Sequence, residues 1–158
     1  MHLKIQPLPI THMSVLIDIV RRTNGDVLEM GIGIGSTPVL HELCRGRKLV
    51  SYDSSKEYVD AFMSLASDWH ELSFVEDWAK IAIEKPWSIA FIDHAPCGRR
   101  RYDIARLKDF ADYVIVHDTE QDVDRFYRYK GAFSLYRYRR DYTFAKPFTT
   151  VLSNRHAL

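Results

Sequence analysis

Between residue 26 and about residue 128, short apolar runs alternate with longer amphipathic stretches. Apolar runs of this length suit strands buried on both faces, and the stretches between them carry helical spacing. That rhythm predicts successive βαβ units. The predicted strands are 26–30, 48–52, 72–75, 88–92 and 113–116. Before them, 9–22 carries Met13, Leu16, Ile17 and Val20 at helical spacing, which predicts an N-terminal helix packed on the sheet. Thr37-Pro38 reads as an N-cap followed by proline at the first helical position, opening a helix to about Cys44. Ser54 and Glu57 resemble a capping box for the next helix. A brief helix is expected from near Trp78 to Lys85-Pro86, another over 101–109, and a last one from Asp118 or Thr119 to about Tyr129. After Gly131 the pattern changes. Residues 133–138 and 149–152 are rich in aromatic and β-branched types and read as a terminal pair of strands.

Five βα units and a hairpin predict an α/β fold with a doubly wound, mostly parallel sheet of seven strands, ending in an antiparallel hairpin. The expected organisation is one domain over 1–158: an N-terminal helical segment at 1–24, βα units at 25–130 and the hairpin at 131–158. A chain of 158 residues suits one core. No window approaches the ~18 consecutive apolar residues of a membrane span. The first residues lack the basic-then-apolar pattern of a leader, so the expected location is cytoplasmic with no membrane partner. Cys44 and Cys97 are too few for a disulfide framework or a cysteine-rich zinc site. The net charge of +1 gives no general nucleic-acid-binding character.

Chemistry concentrates at the predicted strand ends. The segment Glu29-Met30-Gly31-Ile32-Gly33-Ile34-Gly35-Ser36-Thr37 joins the first strand to its helix. Alternating glycines there let the backbone turn sharply and let a ligand approach without Cβ interference, beside the free N–H groups of a helix start. The spacing departs from a dinucleotide-binding Gly-x-Gly-x-x-Gly loop, and no Gly-Lys-Ser/Thr follows for a phosphate cradle. Asp53 ends the second strand and Asp77-Trp78 follows the third. Asp53 reads either as a helix cap or as a carboxylate for ribose hydroxyls. Asp77 and Trp78 read either as a cap and a core anchor or as a purine-binding pair. Asp93-His94 closes the fourth strand and His117-Asp118 the fifth, so two carboxylates and two imidazoles should share the carboxyl edge of the sheet.

The glycine segment resembles motif I of class I S-adenosylmethionine-dependent methyltransferases, through Glu29, Gly31, Gly33 and Gly35. That resemblance implies a Rossmann-like methyltransferase fold and S-adenosyl-L-methionine as cofactor. It implies that the glycine loop wraps the methionine and ribose parts, that Glu29 helps place the methionine end, that Asp53 holds the ribose, and that Asp77 and Trp78 meet the adenine. The segments around Asp93 and Asp118 are similar to small-molecule O-methyltransferases. In those, the two Asp positions bind Mg²⁺ or another divalent cation. The usual third ligand position is Thr119 here, with Glu120 beside it. Asp93, His94, His117 and Asp118 are then the expected catalytic group. A metal would acidify the acceptor hydroxyl, and without one His94 or His117 would be the base.

The implied partner is a small-molecule acceptor. The bare fold leaves the site open, covered by the N-terminal helix, or covered by a second subunit in a homodimer. Basic clusters give the alternatives. Arg99-Arg100-Arg101 would hold an anionic substrate group. Arg125 to Arg140, interleaved with aromatics, suits RNA or a protein substrate, or else a last helix and a charged edge strand. A non-catalytic cofactor-binding subunit is the remaining alternative.

Overall fold

The computed structural model describes residues 10–158. One sheet of seven strands organises them. In chain order the strands are β1 (Val27–Met30), β2 (Leu49–Asp53), β3 (His70–Phe74), β4 (Trp87–Ile92), β5 (Ala111–His117), β6 (Tyr138–Tyr142) and β7 (Thr149–Ser153). Their order across the sheet is β3-β2-β1-β4-β5-β7-β6. β1 to β5 pair in parallel, and β7 inserts antiparallel between β5 and β6. The helices are α1 (Met13–Arg21), α2 (Ser36–Leu43), α3 (Lys56–Phe62), α4 (Arg100–Leu107), α5 (Asp124–Tyr127) and α6 (Lys130–Phe133).

The apolar runs divide between two cores by strand alternation. Val27, Leu49, Ile89, Phe91 and Ile115 face α1 and α2, meeting Leu16, Ile19, Val20 and Leu40. Leu28, Met30, Val50, Ala90, Ile92, Val114 and Val116 face the other way, onto Ile104, Leu107, Trp78 and the aromatics Tyr129, Phe133 and Tyr136. Covering both faces is why β1, β4 and β5 read as nearly unbroken apolar segments.

Local expectations fail in five places, each for a physical reason. Gly35, not Thr37, precedes the first turn of α2, because the Thr37 hydroxyl turns inward to Glu29. Ser55 caps α3 in place of Ser54, accepting from the Tyr58 N–H. No helix forms between Trp78 and Pro86. The Asp77 carboxylate takes the Ala79 N–H and closes a turn instead. The expected helix from Asp118 shrinks to α5, because Asp118 has φ 57 and Arg128 has φ 54, left-handed conformations that interrupt a right-handed helix. The strand expected at 133–138 begins only at Tyr138. Residues 130–133 are helical, and Tyr129, Phe133 and Tyr136 follow a helical 0, 4, 7 spacing into the core. The terminal unit at 131–158 thus starts with a helical turn and pairs its strands later.

Candidate active site

β1 lies between β2 and β4, where the winding of the sheet reverses. A crevice opens there, at the carboxyl ends of the strands. Two features of the glycine segment shape it. Gly31 has φ 106, and a Cβ on it would stand 2.6 Å from the Asp93 carbonyl carbon, so the close passage of β1 and β4 excludes any other residue. Gly33 is different. A Cβ there would meet only the Ser36 hydroxyl, at 3.7 Å, and the position faces a cleft of about 330 Å³. Its space is therefore open toward a ligand. His12, Ser36, Asp93, His117 and Pro147 help line the same cleft. The N-terminal segment forms part of its wall. Ile10 packs on Gly35, and the Thr11 hydroxyl donates to the Pro147 carbonyl.

Glu29 is fully buried beneath this loop. Its carboxylate accepts from Ser36 Oγ at 2.5 Å, Thr37 Oγ1 at 3.0 Å and Ser51 Oγ at 2.6 Å. Thr37 Oγ1 in turn accepts the Gly33 N–H at 2.9 Å. Glu29 therefore sets the loop from below and does not itself face the cleft. Burial pushes its pKa up to about 7, against the lowering effect of the three hydroxyls. The network continues sideways. Ser51 Oγ lies 2.9 Å from His70 Nε2, and His70 Nδ1 lies 3.1 Å from His41 Nδ1.

Asp53 closes β2. Its Oδ2 accepts the Ile32 N–H at 2.8 Å and its Oδ1 the Ser55 N–H at 2.6 Å. The side chain thus ties the glycine loop to the start of α3. A carboxylate has about four acceptor sites, so two remain. Asp77 is exposed, bonded to Ala79 N and 3.6 Å from Lys80 Nζ. Trp78 does not present a free stacking face. It is buried, its indole N–H donates to the Ala95 carbonyl at 2.8 Å, and its ring lies 4.2 Å from that of His94.

The four expected catalytic residues separate into two groups. His94 points away from the cleft and has no exposed side-chain surface. Its Nε2 lies 3.1 Å from Asp103 Oδ2, and Asp103 is also held by Arg99 and Arg106. Burial keeps the pKa of His94 below the ordinary histidine value despite Asp103. His94 is therefore packed against Trp78 and Asp103, apart from the cleft residues. Asp93, His117 and Asp118 do come together. His117 Nδ1 lies 3.3 Å from Asp93 Oδ1 and 3.7 Å from Asp118 Oδ1.

Arg100 organises this group. Its guanidinium reaches Asp93 Oδ1 at 3.0 Å, Asp118 Oδ2 at 3.1 Å and the carbonyls of His94 and His117. Tyr127 also donates to Asp118, at 3.0 Å. Of the three arginines expected to meet a substrate anion, Arg99 and Arg100 are engaged internally, while Arg101 reaches only the Tyr102 hydroxyl among the described residues. Asp93 and Asp118, the two positions expected to hold a divalent cation, both line the cleft and both pair with Arg100. Burial would raise the pKa of Asp93, but His117 and Arg100 hold it below the usual carboxylate range. Burial would lower that of His117, but Asp93 outweighs it and raises it.

The reading of the sequence missed His12. It sits one position before α1, on the stripe that continues through Leu16 and Val20, and its ring packs 4.5 Å from His117 and 4.9 Å from Phe91. A polar residue on that apolar stripe is the signal that would have found it. Burial, then His117, drops its pKa to about 4.

No family model matches the sequence, and no curated protein matches it. Solved structures do. The N-methyltransferase NodS from Bradyrhizobium japonicum WM9 is 9% identical with a TM-score of 0.68, over 98% of this chain and all of that one (100%). A putative O-methyltransferase from Klebsiella pneumoniae is 11% identical with a TM-score of 0.71, over 96% of this chain and 83% of that one. An O-methyltransferase from Bacillus cereus, solved in complex with SAH, is 13% identical with a TM-score of 0.66, over 96% and 84%. The strand order, the reversed last pair and these likenesses agree: the chain has the class I methyltransferase fold.

Proposed function

We propose that the protein is an S-adenosylmethionine-dependent methyltransferase acting on a hydroxyl of a small molecule. The observation that carries the reading is Gly33, whose missing side chain leaves open space at the strand reversal, on the wall of a cleft that also holds Asp93 and His117. The residues present fit the cofactor. The glycine loop gives close backbone approach, and Asp53 keeps acceptor sites for two ribose hydroxyls after serving Ile32 and Ser55. NodS in complex with S-adenosyl-L-homocysteine and the Bacillus cereus enzyme with SAH support the same choice.

When bound, the cofactor supplies a methyl group on a positively charged sulfur. The chain's own residues do the rest. The loop from Gly31 to Gly35 positions the ligand, with Glu29 fixing the loop through Ser36 and Thr37. Ile10 and Pro147 narrow the cleft and restrict water. Asp93 and His117 form its polar floor, where the acceptor hydroxyl is oriented and hands its proton to the neutral imidazole of His117 as the oxygen takes the methyl group. Arg100 holds that floor in place. The exposed arginines of β6 and its approach lie on an edge strand, which supports a solvated edge more than a substrate surface.

Calorimetry tests the reading. The chain should bind S-adenosyl-L-methionine and not NAD, and Gly33→Val should remove binding while the far-UV spectrum is unchanged. Binding of NAD alone, or full affinity in a folded Gly33→Val, would overturn it. Transfer screens with catechols, sugars and RNA then separate acceptor classes.

A further inference from the structure

We infer that His12, Asp93 and His117 form a binding site for a divalent transition-metal ion, with its open side on the cleft. Donor atoms of these three residues lie within 4.8 Å of one another. The His117 Nδ1 to Asp93 Oδ1 distance is 3.3 Å. Ligands on a tetrahedral ion with bonds of about 2.0–2.1 Å stand roughly 3.3 Å apart, so this pair already has the required spacing.

His12 gives the independent observation. Its side chain belongs to a residue only 5% exposed, and neither ring nitrogen has a hydrogen-bond partner among the described residues. Buried polar atoms are normally satisfied, and leaving one bare costs about 1–3 kcal/mol. An imidazole held edge-on to a second imidazole, beside a carboxylate, finds its missing partner in a cation.

The surroundings suit one. Arg100 carries one positive charge against the two carboxylates of Asp93 and Asp118, so the described cluster is net negative with neutral imidazoles. Arg100 braces Asp93, and Thr11 Oγ1 lies 3.4 Å from His117 Nε2; outer contacts of this kind orient metal ligands. The donors stand at the ends of β4 and β5 and at the start of α1. Two imidazoles and one carboxylate favour Zn²⁺, Fe²⁺, Co²⁺ or Mn²⁺ over Mg²⁺, which prefers an all-oxygen shell. Three protein ligands leave a position for the oxygen of an acceptor. An acceptor hydroxyl bound there would release its proton to cleft water more readily. That last role rests on the methyltransferase reading; the cation site does not.

The test is a Co²⁺ titration of the untagged, metal-stripped full chain, followed by visible d–d absorption and by calorimetry. We expect one equivalent bound. His12→Ala and His117→Ala should each weaken it more than about 100-fold, beyond the loss typical of outer-shell changes. His156→Ala, at an exposed position, should bind as the wild type does. Should an alanine variant fold poorly, imidazole NMR of the wild type decides. Diamagnetic Zn²⁺, used in place of Co²⁺ for this readout, should shift the ring signals of His12 and His117 together and by more than those of the buried His94. No stoichiometric binding, or undiminished binding by folded His12→Ala, would overturn the site. S-adenosyl-L-methionine binding is measured separately on the metal-free chain. Its failure would remove the methyltransferase reading and leave the Co²⁺ result standing, and the reverse holds as well.

Discussion

Arg100 Nη2 lies 3.0 Å from Asp93 Oδ1, and the same guanidinium spans to Asp118, so one buried cation fixes the ends of β4 and β5 relative to each other. Removing it strands two mostly buried carboxylates. Breaking such a pair from one side typically costs about 3–5 kcal/mol. Arg100→Met should therefore lower unfolding stability in urea by about that amount. Arg100→Lys should recover only part, because a point charge cannot fork between two carboxylates and two carbonyls. An Arg100→Met variant as stable as wild type would mean that the cluster is not held this way.

Gly31 and Gly33 should respond oppositely to the same change. Gly31→Ala combines a left-handed backbone with a Cβ 2.6 Å from the Asp93 carbonyl carbon, and should cost about 2–4 kcal/mol. Gly33→Ala meets only ordinary contact, and should stay within about 0.5 kcal/mol of wild type. Parallel thermal or urea melts check this. Equal losses at both positions would contradict the geometry.

Two buried groups of the Glu29–Ser51–His70 network push stability in opposite directions with pH. Glu29 titrates near 7 when folded and near 4.5 when unfolded, so the native state binds the extra proton between those values. Its contribution is present below 4.5 and falls by about 3 kcal/mol as pH rises to 7. His70 titrates near 4 when folded because burial, then His41, disfavours its charge, against 6.5 unfolded. Its contribution is present above 6.5 and falls by about 3 kcal/mol as pH drops to 4. The slopes oppose each other between 4.5 and 6.5. Glu29→Gln should make stability rise more steeply with pH there, and His70→Gln should make it rise less steeply or fall. Urea melts across pH 4 to 7 read both; unchanged slopes would refute the assignment.

Most of the sheet was legible because burial on both faces writes itself into the sequence. Val27-Leu28 and Phe91-Ile92 each feed both cores by alternation alone. Strand ends were legible for the same reason, and so Asp53, Asp93 and His117 were placed at the carboxyl edge. What failed depended on contacts between distant segments. His94 and His117 look alike in sequence, each beside an aspartate at a strand end. Only the packing of α4 turns Asp103 toward one and leaves the other on the cleft. The helical set Tyr129, Phe133 and Tyr136 was hidden by aromatic content that also suits a strand. His12 lies 105 residues from His117, as seen from the numbering, and no local pattern joins them.

The hydroxyl of Thr11 and the carbonyl of Pro147 meet across 136 positions of sequence. A ribosome must therefore release everything between these two segments before the cleft acquires its rim. The parallel strands can assemble earlier, since their neighbours are already synthesised. Ligand capture thus waits on the segment around Pro147, and a product stalled before it would carry the five parallel strands without a closed receptacle.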